Sequence, residues 1–376
     1  MSLLRSTNRA PAMPVLNHSL REFATSRTLS LRARLRRPVF GQPDGHGAPT
    51  RQARAGRAAI AVIAALILIL LASACGPAAP AATAAPVTLR LALLPILDAL
   101  PMYVADQEGY FAAQGIKVSF IPVASAAERD QMIASGQADG MINDLIATTL
   151  YNRDQSQVQI VRFAQVATAA QPEYRILAAP GSKLSTPADL KGVDIAVSQA
   201  SVIEYVTDRL LEADGLAPTD IHVIAVPKIP DRMSLLAGGK LQAATLPEPF
   251  STLAIQSGSK VLLDDSIHPE YGNSVISFRT AFIQQHPQAV TAFLKALEQA
   301  VTDVNKDHTR WSDLMVKYNL LPKALAGKYP APTYPAYSLP TEAQFKDVVD
   351  WALSKGLIDH AVSYQDSVNT SVYKGQ

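Results

Sequence analysis

Three carboxylates stand just past short apolar runs that end in turn-forming residues. Asp98 lies in PILDALPMY, Asp144 follows GMIN, and Glu248 sits between two prolines in PEPF. A carboxylate shielded from water can accept hydrogen bonds from an amine or balance a cation, but it must be paired. Asn143 beside Asp144, and Gln199 and Ser201 in the SQAS turn, add amide and hydroxyl groups at equivalent points. Tyr103, Tyr174, Tyr205, Phe250 and Tyr271 lie near the same turns, where aromatic rings can stack on a flat ligand or fill a core.

Each residue also has a structural use. Asp144 can cap the helix that follows it. Ser201 with Glu204, and Ser125 with Glu128, have the S-x-x-E spacing of capping boxes. Asp139 is a turn residue, and Pro249 can start a helix and leave Glu248 in solvent. The four turns carry no basic residue, which argues against a bare oxyanion such as nitrate as ligand. The helix starts at Ser125 and Ser201 can still hold a sulfonate or carboxylate through backbone N–H groups, with fewer donors free if the serines cap them.

Catalysis has no candidate constellation. The chain contains no G-x-S-x-G, H-E-x-x-H, Walker A or G-x-G-x-x-G pattern, and His222, His268, His286, His308 and His360 are scattered. No metal site and no cofactor are expected. These features favour binding over turnover.

The carboxylates and their neighbours need a scaffold, and the pattern from Val87 onward supplies one. VTLRLALL, IKVSFIP, GMIN and VQIVRFA alternate with helical stretches near Met102–Gln114, from Ser125 and from Asp144. A second series, YRILAAP, VDIAVS, IHVIAVP, QAATL and KVLLDD, alternates with helices from Ser201, near Asp231–Ala237 and from Pro247. Such alternation predicts α/β units with mostly parallel sheets, whose ligands settle past the carboxyl ends of strands. MIASGQADGMIND and LLAGGKLQAATLP align at an offset of 103 residues, each a helix end, a glycine turn and a short strand. Two similar lobes are expected, residues 87–173 with 275–376, and residues 174–274. In QAVTAFLKALEQAVTDVN, Val290, Phe293, Leu294, Leu297, Val301 and Val304 share one helical face, and a further helix follows the T-x-x-Q box at Thr341. Both are expected to cover the first lobe.

The chain ahead of this body reads as an address. Residues 1–57 hold eleven arginines against Glu22 and Asp44, residues 58–72 are apolar, and the single cysteine of the 376 residues, Cys75, follows Ala72-Ser73-Ala74. Positive front, apolar core and small residues make a secretory signal. The arrangement resembles a bacterial lipoprotein signal, with lipid on Cys75 as the mature N-terminus and the Ala/Pro-rich residues 75–86 as a tether. An uncleaved anchor is the alternative, and the long basic leader suggests a start codon placed too far upstream. Beyond the apolar run 23 basic residues face 30 acidic ones, a net charge of −7, so nucleic acid is not an expected partner.

PMYVADQEGYFAAQGIKV, ASGQADG, DLKGVDIAVS, LLAGGKLQAATLPEP and FIQQHPQAVTAFLKAL, in this order, resemble substrate-binding proteins of importers for nitrate, sulfonate, taurine and thiamine-pyrimidine precursors. The resemblance implies a two-lobed periplasmic-binding-protein-like fold of type II that closes on a small molecule and delivers it, as a monomer, to the permease of an ATP-driven importer. Lipid on Cys75 would hold it at the membrane. The family's enzymatic branch carries a cysteine-rich motif that this chain lacks. With Asp98, Asp144 and Glu248 as the charged candidates, a neutral or amine-bearing heterocycle is the favoured ligand and a sulfonate the runner-up. A ligand-sensing lipoprotein and an enzyme on the same scaffold remain alternatives.

Overall fold

The computed structural model describes residues 86–375. The basic leader, the apolar run, Cys75 and all of the tether but Pro86 lie outside the described residues.

The first series of elements runs β1 (Thr88–Leu93), α1 (Leu100–Gln107), α2 (Tyr110–Ala113), β2 (Lys117–Pro122), α3 (Ala126–Ala134), β3 (Gly140–Asn143), α4 (Leu145–Tyr151) and β4 (Val158–Val166). The second runs β5 (Tyr174–Ala178), β6 (Asp194–Val197), α5 (Val202–Ala213), β7 (His222–Ala225), α6 (Ile229–Ala237), β8 (Ala243–Pro247), α7 (Phe250–Gln256) and β9 (Lys260–Asp264). Then come β10 (Asn273–Arg279), α8 (Thr280–Gln285), α9 (Pro287–Lys306), α10 (Ser312–Lys317), α11 (Glu342–Ser354) and α12 (Tyr364–Ser367).

Two five-stranded sheets result, ordered β2-β1-β3-β10-β4 and β7-β6-β8-β5-β9. The expectation of mostly parallel sheets holds for three strands in each, where every connection is a helical crossover. The remaining pairs are antiparallel, so both sheets are mixed. The cause is the path of the chain: β5 enters the second lobe, and β10 returns from it, at the end of the sheet where the parallel strands finish. The 103-residue repeat falls on equivalent places, α3 into β3 and α6 into β8, with Gly136 and Gly239 both at positive φ after the helix ends.

The face predicted for α9 is the core of the first lobe. Val290, Phe293, Leu294, Leu297, Val301 and Val304 are all buried, and Phe293 stacks on Phe111 and meets Phe278 edge-on. Tyr103 belongs to this core too, stacked on Tyr318 at 3.8 Å and edge-on to Phe120. Burial with Tyr318 beside it pushes its phenol up to about 12.

Helix α11 does more than cover the first lobe. Its ends are fixed there: Phe163 N–H donates to the Ser338 carbonyl ahead of it, and Asn369 N–H donates to the Ile160 carbonyl behind it. Its inner face reaches the second lobe, where Trp351 Nε1 donates to Asp208 at 2.9 Å. Lys355 bridges Glu204 and Asp208 at 2.9 and 3.0 Å, and Arg209 pairs with Asp347 at 2.9 Å. Tyr205 donates to Asp347 at 2.5 Å and packs edge-on against Trp351.

Gly140 marks the tightest point of the first sheet, at the register of Leu91 on one side and Phe278 on the other. A Cβ there would stand 2.6 Å from the Phe278 ring and 2.9 Å from Leu91. Gly140→Ala is therefore expected to cost about 1–3 kcal/mol of stability by overpacking. Urea unfolding followed by circular dichroism would show this as a lowered midpoint, and an unchanged midpoint would mean the strand yields freely.

Candidate functional site

The parallel strands of the two sheets end toward one another, and the turns past them line a cavity of about 60 Å³. Asp98, Arg129, Asn143 and Asp144 face it from the first lobe and Ser198 and Ser201 from the second. Glu173, Tyr174 and Ser274 close it where the chain crosses between lobes.

Local sequence explains these placements. Asp98 sits in the 3-10 turn Leu97–Ala99 between β1 and α1, where Ser274 of β10 donates to its carboxylate. Asn143 is fixed on both sides, accepting from Ser277 at 2.7 Å and donating to Thr148 at 2.9 Å. Asp144 caps α4, its Oδ1 accepting from Ala147 N–H at 2.7 Å. Ser201 caps α5 through Ile203 N–H at 3.3 Å, while Glu204 accepts from Ala200 N–H at 2.7 Å. Ser125 and Glu128 do the same for α3. The caps foreseen at Asp144, Ser125 and Ser201 thus form, and two of those residues also line the cavity.

Asp98, Asn143, Asp144 and Ser201 are brought together, whereas Tyr103, Gln199, Tyr205, Glu248 and Phe250 lie outside the cavity wall. Gln199 is exposed, and Phe250 is packed in the second core. Tyr103 is held in the first core and Tyr205 against α11, as described. Glu248 is paired with Arg175, accepts from Ser251 at 2.6 Å, and takes a third bond from Tyr329 at 3.2 Å. Its oxygens are committed to tying the end of β8 to the C-terminal segment.

The argument from an absence of basic residues does not survive the fold. Arg129, from the middle of α3 rather than from a turn, is buried in the cavity wall, bonded to Asp130 at 2.8 Å and 4.0 Å from Asp144. Burial opposes its charge, but Asp130 and Asp144 outweigh that and hold it above the ordinary arginine value. Burial likewise raises Asp144 despite Arg129 beside it.

Asp98 and Glu173 form the second charged group. Both are buried in the cavity wall, and among the described residues neither belongs to an ion pair. Burial raises both, Glu173 the more because Asp98 and Asp265 lie near it. Behind them Asp265 accepts from Glu173 N–H at 2.8 Å and Tyr174 N–H at 3.2 Å, and burial lifts its carboxyl to about 7.

A carboxyl raised on folding binds more protons folded than unfolded between its two pKa values. The net effect of Asp265, with Asp98 and Glu173 acting in the same direction, is a stability that falls as pH climbs from about 4 to about 7. Asp265→Asn keeps a carbonyl for the two amides and removes the titration. Melting temperature against pH is expected to slope less steeply in the variant; parallel profiles would show that Asp265 does not carry the effect.

Residues 97–308 match the family model described as NMT1/THI5 like. A Bacillus subtilis protein described as binding aliphatic sulfonates is 23% identical over 286 residues, covering 73% of this chain and 84% of that one. The bicarbonate-binding protein CmpA of Synechococcus elongatus is 23% identical over 278 residues, 64% of this chain and 57% of its own length. Among solved structures, the alkanesulfonate-binding protein SsuA from Xanthomonas axonopodis bound to MOPS superposes with a TM-score of 0.65 at 18% identity, covering 76% of this chain and 99% of that one. The mixed sheets, the two lobes and the cavity at their strand ends agree with that likeness in fold. With more than half of its length matched, the chain belongs to the NMT1/THI5-like family.

Proposed function

We propose that this protein is the extracytoplasmic solute-binding component of an ATP-driven importer. In this reading it closes its lobes on a small molecule that presents a protonated amine, or the amino group of a pyrimidine-like heterocycle, to Asp98 and Glu173. The observation that carries the ligand class is the carboxyl pair itself, buried in the cavity wall without a cation. Two carboxyls in such a place are driven to keep a proton, and a cationic donor lets both ionise and be paired. Tyr174 is also in the wall. In this reading the lobes part to admit the ligand and reclose around it.

Delivery to a permease, export and a lipid on Cys75 are supported by the leader sequence and by relatives described as binding solutes. The acidic body suits a secreted monomer. An oxyanion is the second reading, favoured by Arg129 in the wall and by relatives named for sulfonates and bicarbonate.

A thermal-shift screen with aminopyrimidines, simple amines, alkanesulfonates and bicarbonate separates the readings, since a bound ligand raises the midpoint by mass action. Amine-bearing compounds are expected among the stabilisers. Asp98→Asn and Glu173→Gln should each weaken them by about tenfold or more in calorimetric titration, because a buried charged hydrogen bond contributes roughly 1.5–3 kcal/mol. Stabilisation by anions alone, unaffected by either substitution, would refute the amine reading.

A further inference from the structure

Arg232 is a buried cation without a counter-charge. It lies on α6 and is wholly inaccessible to solvent. Nη1 donates to Ser198 Oγ at 3.0 Å and to the Val226 carbonyl at 2.8 Å, while Nε and Nη2 have no hydrogen-bond partner. Among the described residues no carboxylate pairs with it. Burial pulls the guanidinium down to about 9, which still leaves it charged at neutral pH. An isolated buried charge is costly, and an orphaned buried donor requires an explanation.

Position supplies one. Ile229, one turn earlier on the same face of α6, lines the cavity, as do Ser198, which Arg232 holds, and Pro227, whose carbonyl accepts from Ser198 at 3.1 Å. Arg232 therefore stands directly behind the Ser198 wall, on the second-lobe side, where the N-terminus of α5 also directs its dipole. Asp98 and Glu173 stand at the first lobe and the crossing. Arg129 is already engaged by Asp130 and Asp144, whereas Arg232 is not engaged by any acid among the described residues. The buried carboxyls Asp98 and Glu173 thus line the cavity itself, while the unbalanced guanidinium of Arg232 stands behind its Ser198 wall.

We infer that Arg232 is the counter-charge for an acidic group of the ligand, a carboxylate or larger oxyanion seated against Ser198, so that the ligand is amphoteric. Its amine faces Asp98 and Glu173, and its acid faces Ser198 and Arg232. The amphoteric class rests on the amine reading proposed above; the Arg232 subsite does not.

The test uses the full-length protein with three probes, inorganic sulfate, ethylamine and β-alanine, at constant ionic strength. Wild type is expected to respond to all three in thermal shift and titration. Arg232→Met should lose the sulfate response beyond the general salting effect common to both proteins. It should bind β-alanine about tenfold or more weakly and leave ethylamine unchanged. Arg232→Lys should keep part of the sulfate response, because it keeps the charge. Without ligand, Arg232→Met should melt no lower than wild type, since replacing an uncompensated buried charge by an apolar group of similar size relieves it. No sulfate response in wild type overturns the subsite. So does Arg232→Met protein that melts well below wild type yet binds sulfate equally, because Arg232 would then be structural. If the sulfate response follows Arg232 but ethylamine stabilises neither protein, the amine end and the amphoteric class fall while the anion subsite stands.

Discussion

Two chain crossings join the sheets, residues 167–173 and 265–272, and the carboxylate of Asp265 holds them to each other. It accepts the amides that begin β5, and Gly272 approaches it so closely that a side chain there would overlap Oδ2. Ala167 N–H donates to the Gly272 carbonyl at 2.7 Å, closing the pair of crossings. Everything in the cavity depends on this junction, because it sets where the strand ends of one lobe stand relative to those of the other. The carboxyl accepts both amides, yet its burial opposes ionisation, so the joint loses stability as pH rises through its raised pKa.

The polar groups around the cavity come from both sides of that joint. Asp98, Asn143 and Asp144 follow β1 and β3, while Ser198 and Ser201 follow β6, the equivalent places in two copies of one pattern. Most of their hydrogen-bonding capacity is spent on fixing themselves, as caps and cross-strand pairs. In the proposed reading, what is left over for a ligand is charge: the carboxyl pair in the wall lacking a cation, and the guanidinium of Arg232 behind it lacking an anion. Pre-organised groups of this kind discriminate by the cost of leaving them unpaired.

The architecture was legible because it is written in local chemistry. Alternating apolar runs, the serine N-caps at Ser125 and Ser201, the capping box at Thr341, and the glycine turns at Gly136 and Gly239 all act over a few residues. Strand β10 was not legible: NSVISFR lies between a turn-rich segment and a helix, and its place between β3 and β4 comes from a partner far away in sequence. The site divides in the same way. Asp98, Asn143, Asp144 and Ser201 are found by looking past strand ends. Arg129 and Arg232 lie within helices, where an arginine ordinarily faces water, and only the packing of those helices buries them. Glu173 lies in a crossing that no motif marks. Tyr103 and Tyr205 were drawn toward the ligand by their nearness to the turns, whereas their rings serve packing.

Helix α11 belongs by its ends to one lobe and by its ion pairs to the other. Separating Ser198 from Asp144 moves α5 against α4, and α11 touches both. In the proposed reading, that swing is limited by how far Lys355 and Arg209 can follow their carboxylates before the pairs break. Glu204 and Asp208 are buried whereas Asp347 is half-exposed, so dissolved ions screen the Arg209–Asp347 pair more than the Lys355 bridge. In the proposed reading, the saltiness of the surrounding medium therefore acts on the ease of opening through the Arg209–Asp347 contact.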